Sequence, residues 1–271
     1  MLKGISELFQ DRVILDKPYD SRLTKEVLLS FAMQRSGQHL IIEWMCKGYN
    51  EITHLNHCRF YKGGLNFCFI LSPMVGRTSV YRDGVVNDSG KIGRRNYYKY
   101  INDKLLVKSR LLYTIEDMPH TTKFFQQLKK QEKINSMFIL RDPANWLASS
   151  IAHGRHNFVR LKENTQIYKG YLREAIEGNE TSISYNDFVT SKNYREKLSN
   201  KLGLADFENA ETALTNTPDF GGGSSFESNE NSSFFTRWEK YRDNDMFRYL
   251  IEDKELIELS KIYFSELPGP Y

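Results

Sequence analysis

The stretch "SFAMQRSGQHLIIEWM", Ser30 to Met45, passes from an apolar run through a small polar turn and back to apolar residues. The run "EVLLSFAM" (Glu26 to Met33) has the length and polar boundaries of a strand buried on both faces, as in a parallel sheet. In "HLIIEWMCKGY", Leu40, Ile41, Trp44 and Met45 share one helical face, and Gly48 is a stop signal. The polar residues between are therefore a strand-to-helix turn. In a parallel sheet such a turn lies at the carboxyl edge, with the first N–H groups of the helix directed outward, a geometry that binds anions.

The same unit recurs. "INSMFILRDPANWLASSIAHGR" gives a strand (Ser136 to Leu140), a turn "RDP" and a helix from about Ala144, so both turns begin with an arginine, Arg35 and Arg141. "RLLYTIEDMPH" (Arg110 to His120) adds an apolar strand whose polar end would meet the same edge. "TSISYNDFV" (Thr181 to Val189) reads as a further strand, and "SKNYREKLSNKLGL" as a helix capped by Gly203. Strands alternating with helices imply an α/β fold with a central, mostly parallel sheet flanked by helices in three layers. We read residues 1–271 as a single domain. Residues from about 50 to 100 are an insertion over the site, and a Gly-, Ser- and Asn-rich loop at about 217–237 precedes terminal helices.

Composition narrows the function. The 38 basic residues against 34 acidic ones leave a formal charge of +4, which argues for local basic sites rather than a nucleic-acid surface. No apolar run approaches the roughly eighteen residues of a membrane span, and the N-terminus lacks a secretory pattern, so the expected location is cytoplasmic. Three cysteines, Cys46, Cys58 and Cys68, argue for reduced thiols. His54, His57 and Cys58 lack a second ligand pair and are not read as a metal site. Trp44 and Trp146 are assigned to the core, and "RRNYYKY" (Arg94 to Tyr100) to a solvated face.

At this point the motifs resemble a family, the sulfotransferases that use 3′-phosphoadenosine 5′-phosphosulfate (PAPS), a branch of the P-loop nucleotide-binding folds, nearest its carbohydrate and bacterial branch. Arg35-Ser36-Gly37-Gln38-His39 is similar to the family's 5′-phosphosulfate loop, with His39 in place of a threonine. Arg141 and Ser149, eight residues apart with Pro143 between, resemble its 3′-phosphate grip. "SYNDF" around Tyr185 resembles the strand whose tyrosine reaches the adenine. "GGGSSF", with Gly223, Ser224, Ser225 and Phe226, followed by Arg237 and Trp238, resembles the loop that closes over the nucleotide.

That resemblance implies a PAPS-dependent enzyme, releasing adenosine 3′,5′-bisphosphate (PAP), with a hydroxyl acceptor of the carbohydrate or glycolipid class. No metal is implied. Physical chemistry agrees: charge gathers on the bridging oxygen as the S–O bond breaks, and Arg35 with the amides of Gly37, Gln38 and His39 would stabilise it. The turn lacks the Gly-Lys-Ser/Thr that holds a γ-phosphate and Mg²⁺, which disfavours a P-loop kinase acting on a small molecule. The remaining alternative is a nucleotide-binding protein without catalysis. A general base must take the acceptor's proton. Glu116 is the first choice, as the first polar residue after its apolar run, and Asp117, His120 and His39 are the alternatives.

Overall fold

Residues 26–63, 68–73, 77–82, 85–91, 110–119, 134–154, 156–178, 180–215 and 235–271 are described in a computed structural model of the chain. The strands are β1 (Val27–Ala32), β2 (Glu51–Gly63), β3 (Cys68–Pro73), β4 (Arg77–Arg82), β5 (Val85–Lys91), β6 (Arg110–Glu116), β7 (Ile134–Leu140) and β8 (Thr181–Ser184). β1 is buried along its whole length because it pairs in parallel with β6 on one side and β7 on the other. β2 adds to β6 and β8 to β7, also in parallel, so five strands run the same way in the order β2-β6-β1-β7-β8. Beyond β2 the sheet turns antiparallel. β4 pairs with the first half of β2, β3 with its second half, and β5 with β4.

Alternate residues of β1 serve two cores. Leu28 and Ala32 face helix α1 (Gln38–Gly48), where Ile41, Ile42, Trp44 and Met45 pack. Val27, Leu29 and Phe31 belong to the opposite core, with Trp146 and Leu147 of α2 (Pro143–His153) and Leu161, Tyr168, Tyr171 and Leu172 of α3 (Phe158–Glu177). The first face is completed by α4 (Tyr185–Thr190), α5 (Lys192–Leu202) and α6 (Phe207–Glu211), the second by α7 (Asp245–Ile251) and α8 (Lys254–Tyr263). This is the expected three-layer α/β arrangement. Among the described residues no helix is long and apolar enough to cross a membrane.

One expected element differs. Thr181 to Val189 is not a single strand, because β8 stops at Ser184 and Tyr185–Thr190 is helical. The cause is local: the Ser184 hydroxyl accepts a hydrogen bond from the Asp187 amide at 3.2 Å and caps the helix, and Asp187 adds an acidic residue to its first turn. Elsewhere the stop signals hold. α1 ends at Gly48, and Gly203 caps α5 with φ 65°. Cys46 is a buried free thiol whose pKa is raised chiefly by burial, so it packs as a small hydrophobe. Residues Arg94 to Tyr100 and the span 217–234 lie outside the described residues.

The α1 face carries an ion pair between buried Arg195 and partly buried Glu211. Arg195 forks onto Glu211 at 2.8 and 2.7 Å and also donates to the Phe188 carbonyl, while Trp44 Nε1 donates to the same carboxylate at 3.0 Å. Burial would raise the Glu211 pKa, but these donors outweigh it and hold the carboxyl below the usual glutamate range. Its stabilisation is therefore present above about pH 4.5 and lost as pH falls below the folded-state value. Glu211→Ala removes two charge-assisted bonds from the Arg195 guanidinium, and equilibrium denaturation should show a loss of about 1–3 kcal/mol. A loss below 1 kcal/mol would mean that water reaches the guanidinium.

Candidate functional site

Strand register brings the polar segments together. Ala32, the last residue of β1, pairs with Glu116 of β6 and with Ile139 of β7, and Leu140 pairs with Ser184 of β8. Met33 to Gly37, Glu116 and Asp117, Arg141 and Tyr185 consequently leave the sheet at one edge. The first turn closes with Ser36 N–H donating to the Met33 carbonyl at 3.1 Å, and it needs two left-handed residues, Arg35 (φ 70°) and Gly37 (φ 83°). Gly37 is doubly constrained, because a Cβ there would sit 2.2 Å from Cε2 of Tyr185. It occupies the N-cap position of α1 without a side-chain cap, so the turn leads directly into the positive end of the helix.

The turn is gripped from two directions. The Gln34 amide donates to Asp117 Oδ1 at 2.9 Å, and the Gln34 carbonyl accepts from Trp146 Nε1 at 3.0 Å. Asp117 is itself left-handed (φ 52°), and its amide donates to the Ala32 carbonyl at 3.1 Å. On the second turn, Asp142 caps α2 by accepting from the Asn145 amide at 2.8 Å. The Asp142 amide donates to Asn186 Oδ1 at 3.2 Å. The Arg141 guanidinium lies 5.1 Å from the Tyr185 ring centroid, and its Nη1 donates to the Arg35 carbonyl at 3.4 Å.

Three guanidinium groups share this edge. Burial, and then repulsion by Arg141 and Arg35, push the Arg237 pKa below the usual arginine value, with Tyr185 acting in the opposite sense. Arg141 is only 4 % exposed. Around these cations lie polar atoms buried without a hydrogen-bond partner among the described residues: Ser36 Oγ, Asn145 Oδ1 and Asn186 Nδ2. The guanidinium groups, with the Ser36 hydroxyl and Asn186 Nδ2 as donors, suit a polyanion with several oxygen acceptors, whereas Asn145 Oδ1 can only accept and would face a donor.

Next to them stand two consecutive carboxylates. Glu116, at the end of β6, accepts a hydrogen bond from Gln38 Nε2 on α1, and His39 Nε2 lies 3.9 Å from the same oxygen. The second oxygen of Asp117 lies 3.9 Å from His156 Nε2. Burial raises the Asp117 pKa; the Gln34 amide opposes this, neighbouring Glu116 adds to it, and His156 and Arg160 draw it back. The site thus pairs a cationic face with carboxylates that can accept a proton.

Of the residues read from sequence, the fold gathers Arg35, Ser36, Gly37, Gln38, His39, Glu116, Asp117, Arg141, Tyr185 and Arg237 at this edge, and Ser149 is buried in the second turn of α2. His120, Gly223, Ser224, Ser225 and Phe226 lie outside the described residues. Gln34, Asn186 and His156 belong to the site and were not singled out by sequence. Trp146, assigned to the core, is there but also holds the first turn; a buried indole N–H needs an acceptor, which was the available signal. No protein-family model matches the chain, and no curated protein matches it.

Gly37→Ala should lower the unfolding free energy by about 1–3 kcal/mol through left-handed strain alone, with the Tyr185 clash adding to it. Adding Tyr185→Ala should recover the clash component but not the strain. A Gly37→Ala melt superimposing on wild type would show that neither constraint operates.

Proposed function

We propose that the chain is a sulfotransferase moving the sulfuryl group of PAPS to a hydroxyl acceptor of the carbohydrate or glycolipid class. The observation that carries this reading is the convergence of Arg35, Arg141 and Arg237 at the N-terminus of α1, with two carboxylates beside them. A donor with anionic groups at both the 5′ and 3′ positions suits two arginine-led turns. The buried Ser36 hydroxyl, the Gly37 backbone that no Cβ can share, and the absence of a Lys-Ser/Thr pair from the turn fit phosphosulfate better than a nucleoside triphosphate.

Arg35 and the Gly37, Gln38 and His39 amides would hold the 5′-phosphosulfate, and Arg141 and Ser149 the 3′-phosphate. Tyr185, 8 % exposed, keeps a small accessible area for the adenine. Arg237, and the segment bearing Gly223 to Phe226, would cover the nucleotide. When bound, PAPS supplies an activated S–O bond whose departing oxygen carries negative charge. Arg35 and the helix amides stabilise that charge, each donor contributing on the order of 10²–10³ in rate.

Glu116 is the base. Gln38 holds one of its oxygens, and His39 Nε2, 3.9 Å from that oxygen, lies beyond hydrogen-bond reach and acts on it only through its charge when protonated. Asp117 is occupied with the Gln34 amide, so its task is to position the turn. Glu116→Gln should therefore lower turnover by roughly 10²–10⁴-fold with nucleotide affinity kept. Unchanged turnover would move the base to Asp117, His39 or His120.

Calorimetric titration compares PAP with adenosine 5′-phosphate and with ATP plus Mg²⁺. Strong preference for PAP without metal is the expected result, and Arg141→Ala should weaken PAP by about 10- to 100-fold while sparing adenosine 5′-phosphate. Preference for ATP with Mg²⁺ would replace this reading with a kinase. PAP binding with no transfer from PAPS to any hydroxyl acceptor would replace it with a nucleotide-binding protein.

A further inference from the structure

We infer that Trp146 and Tyr168 form a strut that fixes the separation of the two arginine-led turns, so that a ligand with two anionic groups is favoured over a ligand with either one. The inference deepens the proposed function and rests on it for the identity of the ligand, though not for the mechanical coupling.

The strut can be followed atom by atom. Trp146 Nε1 donates to the Gln34 carbonyl at 3.0 Å, immediately before Arg35 in the first turn. The indole lies flat on the Tyr168 ring, with centroids 4.8 Å apart and planes 5° from parallel. The Tyr168 hydroxyl then donates to the Arg141 carbonyl in the second turn. One rigid stack therefore ends on a backbone oxygen of each turn. Both rings are fully buried in the close-packed core on that face of the sheet.

Three further facts favour coupling over plain core packing. The direct link between the turns, Arg141 Nη1 to the Arg35 carbonyl, is 3.4 Å long, too weak to set a distance by itself. Burial, reinforced by Asp142, keeps the Tyr168 phenol protonated far beyond neutral pH, so the donor to Arg141 persists under working conditions. The Asp117 carboxylate anchors the amide side of Gln34, so any movement of the first turn is resisted at both ends of that residue.

The consequence for binding is a matter of stiffness. Once one anionic group is bound, the second meets its turn at an effective concentration set by how narrowly the separation is defined. A looser separation spreads the second turn over a larger volume and lowers that effective concentration.

Tyr168→Phe and Trp146→Phe each cut one end of the strut and leave an aromatic ring in place. In Tyr168→Phe, hydrogen exchange at the 34–37 amides should accelerate on the order of tenfold, the equivalent of one lost hydrogen bond, with β1 amides unchanged. Tyr168 has no hydrogen bond to that turn, so unchanged exchange at 34–37 overturns the strut whatever the ligand is. In titrations with PAP, adenosine 5′-phosphate and adenosine 3′-phosphate, each single variant should weaken PAP about tenfold and the monophosphates much less. The double variant should be no worse than either single one, because a strut cut at one end transmits nothing. Additive losses, or equal losses for PAP and the monophosphates, overturn it. Faster exchange at 34–37 in Tyr168→Phe, with a wild-type chain that does not prefer PAP, would uphold the coupling and remove the sulfotransferase reading instead.

Discussion

The pairing of β1 with two parallel neighbours is the constraint from which the rest of the molecule follows. Ala32 is matched to Glu116 on one side and Ile139 on the other, so the first turn, the carboxylate pair and Arg141 emerge level with one another. A slip of one residue would also exchange Val27, Leu29 and Phe31 with Leu28 and Ala32 between the two cores. The same register therefore sets both the apolar packing and the convergence of charge, and neither can be changed alone.

That convergence is expensive in solvation. Arg141, Glu116, Asp117 and Asp142 are all buried, and an ion removed from water costs several kcal/mol unless it is satisfied in place. The surrounding backbone supplies the compensation: Asp142 is absorbed as the cap of α2, Asp117 by the Gln34 amide, and Arg141 lies beside an aromatic ring. Arg35, Arg141 and Arg237 still repel one another, a repulsion that adds to burial in lowering the Arg237 pKa. An anion lodged among them would offset that repulsion, and the groups that would receive it are already held in place by the surrounding fold.

Features held in neighbouring residues were legible in the sequence. The strand, turn and helix around Arg35 and around Arg141 could each be read within about twenty residues, because hydrophobic period and small polar residues change at their boundaries. Ser184 was the local exception: "TSISYNDFV" has strand-like content, yet Ser184 and Asp187 carry a capping pattern that ends the strand early. β2 was hidden for another reason. Thr53 and His54 are buried polar residues that do not look like a core strand, and burial lowers the His54 pKa to about 3, which keeps it neutral in the core. What no local pattern could supply is the contact across the sheet, such as Gln38 to Glu116, 78 residues apart, or Trp146 to Gln34, 112 apart.

Glu116 and Asp117 show how much such contacts decide, since the sequence offers two adjacent carboxylates with nothing to separate them. The left-handed backbone at Asp117 turns its side chain back under the first turn, where one oxygen receives the Gln34 amide and the other approaches His156. Glu116 remains in strand conformation and meets Gln38 and His39 from α1. One carboxylate is thereby tied to the backbone that carries Arg35, and the other to side chains that rise from the turn itself. Since Glu116 contributes to the raised Asp117 pKa, charge on the two is linked: proton uptake at Glu116 removes one of the repulsions that work against an ionised Asp117. In the proposed reaction the step that loads the base would therefore favour the charged form of Asp117, which holds the Gln34 amide beneath the turn that must stabilise the leaving group.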